Sequence, residues 1–343
     1  MGRISTGRRQ GVAPVRVLVT GASGMFGKAV ATALVHRGDD VTVFQRSRSG
    51  LDCREILGDI TNPDDVTRSL DDVDTIVHMA ARVSPIGPPS AFEDVNVRGS
   101  ANVVAAANQA GVTRLVNISS PSVAHLGAPQ IGAAAAPAQP LRARSRYARS
   151  KAKAEILMLE ADRPGLAVVS LRPHLVWGPG DTQLVERVVQ RARAGRLRLV
   201  GPGAALVDTT YVDNAAQAVM AAIDGAERAH GQALVVSNGE PRPVAELLRS
   251  ICLATGVEPP TRHLPLGVNK AIGVGAELIW NGLGLRSDPP MTRFLAEQLG
   301  TAHWFDQRAT RELLQWKPSI SLAEGLERLA RHAQQPSPGE IRP

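Results

Sequence analysis

Aromatic side chains are scarce in this sequence. Phe, Trp and Tyr make up 3% of its 343 residues, too few for the stacking platforms on which single-stranded nucleic acids are read. Cysteine is rarer still. Cys53 and Cys252 lie far apart and in no metal-ligand spacing, so no disulfide framework and no metal site are expected, only two reduced, mostly buried thiols in a cytoplasmic protein. Long apolar runs are also missing. No stretch reaches the length and purity of a membrane-spanning helix, the nearest being 264–285. The first dozen residues are polar and Gly-rich and lack the apolar run of a signal peptide. The formal charge of +7 is spread over a tail cluster (Arg3, Arg8, Arg9), a loop cluster (Arg142, Arg144, Arg146, Arg149) and the stretch 187–198. An excess this dispersed does not make a nucleic-acid footprint, and no such partner is expected.

What the sequence has in quantity is alternation. Strand-like β-branched runs at 15–20, 41–45, 54–57, 75–79, 115–119 and 167–172 are separated by helical patterns at 25–37, 63–70, 92–110 and 147–160. Pro63 sits where an early helical turn tolerates proline. Strands alternating with helices imply an α/β fold, and right-handed crossovers make its parallel sheet doubly wound. Between 121 and 141 the chain turns to Ala, Gly and Pro. That loop follows the carboxyl end of a strand, where such sheets bind ligands. After Gly178 the alternation fades. A helix is predicted over 244–256, and two short helices over 310–330 around Trp316-Lys317-Pro318.

The first strand runs into Gly21-Ala22-Ser23-Gly24-Met25-Phe26-Gly27 and then into a helix. Gly21 permits the tight turn, Gly24 lets backbone approach a pyrophosphate, and Gly27 lets helix and strand pack closely. The anion then sits on the helix N-terminus, where free N–H groups and the helix dipole favour it. Farther on, Tyr147-Ala148-Arg149-Ser150-Lys151 places a phenol and an ammonium four residues apart, on one helix face. The ammonium favours the phenolate, so the phenol's pKa of ~10 should fall and let Tyr147 move protons near neutral pH.

The Gly-x-x-Gly-x-x-Gly spacing, the Tyr-x-x-x-Lys pair and Ser119-Ser120 upstream of it resemble the extended short-chain dehydrogenase/reductase family. The resemblance runs from Val15 to about Ala330. It implies a Rossmann sheet over 14–178, with 207–222 returning to it. A smaller, mixed substrate domain would comprise 179–206 and 223–332, with disordered tails at 1–13 and 333–343. It implies that Ser120, Tyr147 and Lys151 are catalytic, Ser120 holding the reacting oxygen, with Ser119 and Ser122 as alternatives for that role. For a nicotinamide dinucleotide it implies contacts from Gly21, Ser23, Gly24, Met25, Phe26 and Gly27 at the pyrophosphate. Asp59 and Ile60 would meet adenine, Ala80 and Ala81 would pass under the cofactor, and Pro173 and Val176 would meet the carboxamide. Ser119, Tyr147 and Lys151 would complete the nicotinamide end, with Asn96 fixing backbone or water there. Family members usually carry an acid at the end of the second strand. Here Gln45 stands in that place, followed by Arg46, which removes repulsion of a 2′-phosphate and adds a counter-charge. NADP is therefore expected ahead of NAD. His78 and Asp213, which also fall in matching motifs, are expected to be structural.

Two branches of the family compete. Ser119-Ser120-Pro121-Ser122-Val123-Ala124, the apolar segment 264–285 followed by 289–295, and His303-Trp304-Phe305-Asp306 resemble the 3β-hydroxysteroid dehydrogenase-like branch, which includes reductases of 3-oxo acyl compounds. That implies hydride exchange at a secondary alcohol or ketone of an apolar small molecule, with 264–285 lining an entrance or touching a membrane surface. The alternative is a nucleotide-sugar 4-epimerase or dehydratase with tightly held NAD, for which Arg187, Arg191 and Arg193 could meet a diphosphate. A homodimer is expected from the resemblance, and the Ala-rich face of 101–110 fits one.

Overall fold

The computed structural model describes residues 14–84, 87–265, 267–268 and 300–335. The first elements in chain order are β1 (Arg16–Thr20), α1 (Met25–Arg37), β2 (Asp40–Gln45), β3 (Arg54–Leu57), α2 (Pro63–Arg68) and β4 (Thr75–His78). After them come α3 (Pro89–Phe92), a π turn (Glu93–Arg98), α4 (Gly99–Ala110), β5 (Arg114–Ile118) and a 3-10 turn (Pro121–Ala124). The middle of the chain adds β6 (Gln130–Ala133), α5 (Arg146–Glu160), β7 (Ala167–Pro173), β8 (Val176–Trp177), α6 (Val185–Arg193), β9 (Leu199–Val200), β10 (Leu206–Val207) and β11 (Thr210–Tyr211). Then follow α7 (Val212–Asp224), α8 (Ala226–Ala229), β12 (Ala233–Val236), β13 (Arg242–Pro243), α9 (Val244–Ala254), β14 (His263–Leu264) and β15 (His303–Phe305). The last helices are α10 (Arg308–Leu314) and α11 (Leu322–Ala333).

Seven strands form one parallel sheet in the order β12-β7-β5-β4-β1-β2-β3. Its central strands are apolar on both faces because both faces are covered. On one side Val17, Val19 and Val43 meet Val30, Leu34, Val219 and Ile223 from α1 and α7. On the other, Leu18, Ile76 and Leu115 meet Val103, Ala107 and Met158 from α4 and α5. A third core, around Trp177, Tyr211, Leu247, Ile251 and Leu329, supports the smaller lobe. There a four-stranded mixed sheet runs β13-β10-β15-β6.

The expected doubly wound fold is present, with three differences in detail. The seventh strand, β12, belongs to the main sheet beside β7, although the sequence division put 223–332 in the substrate domain; Leu314 and Trp316 also join the main core. The predicted helix over 92–110 is interrupted by the π turn. Within it the buried Asn96 donates from Nδ2 to Ser150 Oγ at 2.9 Å and accepts from Arg82 N at 2.7 Å. Widened turns of this kind mark functional places in helices. The 121–141 loop contains the 3-10 turn and β6, which pairs with β15. Among the described residues no helix is long and apolar enough to cross a membrane. The segment 289–295, nearly all of 264–285 and the tails at 1–13 and 336–343 lie outside the described residues.

Candidate active site

A cleft of about 670 Å³ opens along the carboxyl ends of β1, β2, β4, β5 and β7. Its floor begins at the turn after β1. Gly21 has φ +78°, and a Cβ there would lie 2.8 Å from the backbone of Ala80. A Cβ on Gly27 would lie 2.3 Å from the Gly21 carbonyl oxygen, so only glycine lets α1 sit this close to the strand. Gly24 differs: a Cβ there would meet nothing within 4 Å, and the residue borders the cleft. It is the N-cap of α1, no side chain caps the helix, and the first turn carries no acid. Those N–H groups and the open space above them fit a pyrophosphate. Ser23, Met25 and Phe26 complete this wall.

At the far end of the cleft stand Gln45, Arg46, Asp59 and Ile60. Asp59 Oδ1 accepts from Thr61 N at 2.9 Å and from Thr61 Oγ1 at 2.8 Å. These bonds, with a smaller contribution from the Arg46 charge, outweigh burial and hold its carboxyl below the usual range. Gln45 is buried, and its Oε1 has no hydrogen-bond partner among the described residues. The buried Ser119 Oγ at the other end has none either. Buried polar atoms without partners are rare and costly in folded chains, and both of these residues line the cleft. The residues present thus fit a dinucleotide along the whole groove.

The reacting end is built on α5. Ser145 caps the helix by accepting from Ala148 N at 3.0 Å, which fixes the first turn where Tyr147 sits. Lys151, one turn on, is buried and donates from Nζ to the Ile118 carbonyl at 2.7 Å. Ser120, at the end of β5, is hydrogen-bonded to Tyr147 and shares a 2.9 Å contact with Ser122 Oγ. Burial pushes the Tyr147 phenol up to about 12, against the bond to Ser120. Burial likewise pushes Lys151 down to about 8, opposed by Glu155 one turn along. The expected lowering of the phenol is therefore not met within the chain: desolvation dominates, and what opposes it is the bond to Ser120.

The cleft brings together the anticipated Gly21, Ser23, Gly24, Met25, Phe26, Gly27, Gln45, Arg46, Asp59, Ile60, Ala80, Ala81, Ser119, Ser120, Tyr147, Lys151, Pro173 and Val176. Asn96 is not on its wall. Its amide holds the backbone of Arg82 and the Ser150 hydroxyl, in keeping with the expectation that it fixes backbone there. Ser122 also stays off the wall and serves Ser120. His78 bridges Thr20 Oγ1 and Ser100 Oγ at 3.0 and 3.2 Å. Burial, helped by the Lys151 charge, pushes it down to about 3, so it is a neutral structural group. Asp213 pairs with Arg328 at 2.9 Å. Sequence reasoning passed over Met79, Val83, Val95, Leu175 and the stretch 181–184, which also line the cleft. Leu175 stands out only in the structure, where its φ of +44° is unusual for a branched residue. The one sequence signal lay in Asp181, an acid just ahead of a helix, whose carboxylate caps the N–H groups of Gln183, Leu184 and Val185.

Comparison with known proteins places this geometry. The model of the NAD dependent epimerase/dehydratase family matches residues 17–237. A 2-alkyl-3-oxoalkanoate reductase of Stenotrophomonas maltophilia (strain K279a) is 41% identical over 325 residues, spanning 92% of this chain and 98% of that enzyme. A 3-beta-hydroxysteroid dehydrogenase of Mycolicibacterium neoaurum is 31% identical over 332 residues, spanning 91% and 89%. Among solved structures, MoeE5 in complex with UDP-glucose and NAD superposes with a TM-score of 0.71 at 26% identity, covering 92% of this chain and 97% of that one. The chain belongs to the NAD dependent epimerase/dehydratase family, as an extended short-chain dehydrogenase/reductase of the 3β-hydroxysteroid dehydrogenase-like branch.

Proposed function

We propose that this chain interconverts a ketone and a secondary alcohol on an apolar 3-oxo acid, a 2-alkyl-3-oxoalkanoate in particular, using NADP(H) ahead of NAD(H). The observation that carries the reading is the meeting of Tyr147, Ser120 and Lys151 at one end of a cleft whose other end fits a dinucleotide. The nicotinamide, when bound, exchanges the hydride with the substrate carbon. Tyr147 gives its phenolic proton to the carbonyl oxygen as the alcohol forms, and takes it back in the reverse direction. Ser120 donates a hydrogen bond to the same oxygen. Lys151, anchored on the Ile118 carbonyl, supplies the positive charge that stabilises the phenolate left on Tyr147.

The substrate class follows from the rim. Val83 and Leu175 on the cleft wall are 56% and 37% exposed. Aliphatic groups held open beside a proton donor suit an alkyl-bearing ketone. Two relatives are named for such substrates, a 2-alkyl-3-oxoalkanoate and a 3-beta-hydroxysteroid. The cofactor preference rests on Arg46, exposed on the cleft wall beside Gln45.

Tyr147→Phe tests the reading. It should lower kcat by ~100- to 10,000-fold, the usual yield of a positioned acid or base, while the cofactor's Kd stays within about twofold, since a phenyl ring keeps the packing. Retained turnover would remove Tyr147 from its role. Substrates should be screened by the absorbance of reduced nicotinamide, with 2-alkyl-3-oxoalkanoates, 3-hydroxysteroids and nucleotide sugars side by side. Turnover of a nucleotide sugar alone, by protein that purifies with its cofactor, would replace the reading with an epimerase or dehydratase.

A further inference from the structure

We infer that Glu55 on β3 is a positioning residue for cofactor choice: it holds the Gln45 amide with its carbonyl oxygen turned to the adenosine ribose. This rests on the reading that the cleft takes a nicotinamide dinucleotide, and concerns only which one.

Strand pairing sets the arrangement. β2 and β3 run parallel with Val43 beside Glu55 and Gln45 beside Leu57. Glu55 Oε1 accepts three bonds, from Ser49 N at 2.7 Å, Ser49 Oγ at 2.7 Å and Gln45 Nε2 at 2.8 Å. Those bonds, that from Ser49 N foremost, hold its carboxyl below the usual range, so it stays an acceptor. An ionised carboxylate has no proton to give. The Gln45 NH₂ must therefore face Glu55, and the amide oxygen must face away from it.

That oxygen is buried, without a partner among the described residues, on a residue that is 6% exposed and lines the cleft. It needs a donor. A ribose 2′-hydroxyl is one. A 2′-phosphate carries mainly acceptor oxygens and negative charge, so it meets this oxygen with repulsion. Gln45 as held by Glu55 thus favours NAD(H), while Arg46 next to it favours NADP(H) through its charge. The two oppose one another, and the chain keeps use of both cofactors with a shallow preference.

Glu55→Met breaks the lock without shortening the side chain. Its thioether is only a weak acceptor, which frees the Gln45 amide to turn and present its NH₂ to the cleft. Calorimetric Kd values for NAD⁺ and NADP⁺, measured without substrate, should then show the ratio moving toward NADP⁺ by about three- to tenfold, the size of one exchanged hydrogen bond. Ser49→Ala removes one donor to Glu55 but leaves the Gln45 bond, and should leave the ratio in place. In a Gln45→Leu background, Glu55→Met should shift nothing. An unchanged ratio in Glu55→Met, an equal shift in Ser49→Ala, or a shift that survives Gln45→Leu overturns the assignment of Glu55. Failure of the wild-type chain to bind either cofactor overturns the dinucleotide reading itself, and this inference with it.

Discussion

Lys151 is the residue whose environment has the most direct consequence for pH. Its folded value near 8 lies below the ordinary 10.5 because burial disfavours the ammonium. Tyr147 stays protonated up to about 12. In the direction of ketone reduction both protons are needed, one to be given away and one to hold positive charge beside it. As pH rises through about 8 the ammonium is lost first, so the reduction rate should fall there on a limb that belongs to Lys151. Lys151→Arg, which keeps its charge to far higher pH, should lower the rate but move that limb upward. A wild-type profile flat through this range, measured as kcat against pH at saturating cofactor, would count against the assignment. The meeting of Tyr147, Lys151 and Ser120 on the cleft wall was legible because short motifs mark them. Their proton affinities were not, since desolvation comes from α4, β7 and the 3-10 turn, which only the fold packs around α5. Glu55 was hidden for a related reason: it belongs to no motif, and only the register of β3 against β2 brings it to Gln45.

At the scale of elements, the turn from β1 into α1 gives a sharp comparison between two glycines of one motif. Gly27 is closed, with a Cβ clashing at 2.3 Å against backbone, while Gly24 is open to the cleft. Gly27→Ala should therefore destabilise the fold itself, since the helix must move off the strand, and cofactor affinity should fall with it. Gly24→Ala should unfold at nearly the wild-type urea midpoint and yet bind the dinucleotide more weakly, because its methyl group stands where the pyrophosphate approaches. Equal loss of stability in both variants would refute the distinction. The spacing of the glycines was plain in the sequence, and so was the division expected from it, Gly24 toward the pyrophosphate and Gly27 toward packing; the clearances, 2.3 Å at Gly27 against open space at Gly24, were not. The interruption before α4 was equally hidden. Nothing in Val95-Asn96-Val97 breaks a helical pattern, and the π turn is held by Asn96 through tertiary partners on Arg82 and Ser150.

For the molecule as a whole, the alternating part of the chain declared its parallel sheet, because strands buried on both faces need continuous apolar runs. The smaller lobe declared little. Its mixed sheet joins 130–133, 206–207, 242–243 and 303–305, strands of two to four residues drawn from distant places, too short for any periodicity to register. The junction of that sheet with the main one is where buried histidines gather. His174, between the cleft residues Pro173 and Leu175, faces His303 with ring centres 6.2 Å apart, and His303 faces His125 at 4.9 Å. Phe305 and the Asp208 backbone complete the surroundings of His174. Burial, then the neighbouring histidines, push His174 down to about 3, and His78 in the main core stands at about 3 as well. Both therefore stay neutral in the folded chain at pH values where the unfolded chain has protonated them. Between the ordinary value of 6.5 and about 3 the unfolded state binds up to two more protons than the native one from these groups, and stability must fall as pH falls through that window. Urea midpoints taken from neutral pH downward should decline steadily from about pH 6.5. His174→Asn, which cannot take a proton, should flatten part of that decline while costing stability at neutral pH. If the variant declines as steeply as the wild type, His174 is not among the groups that couple the junction of the two sheets to acid.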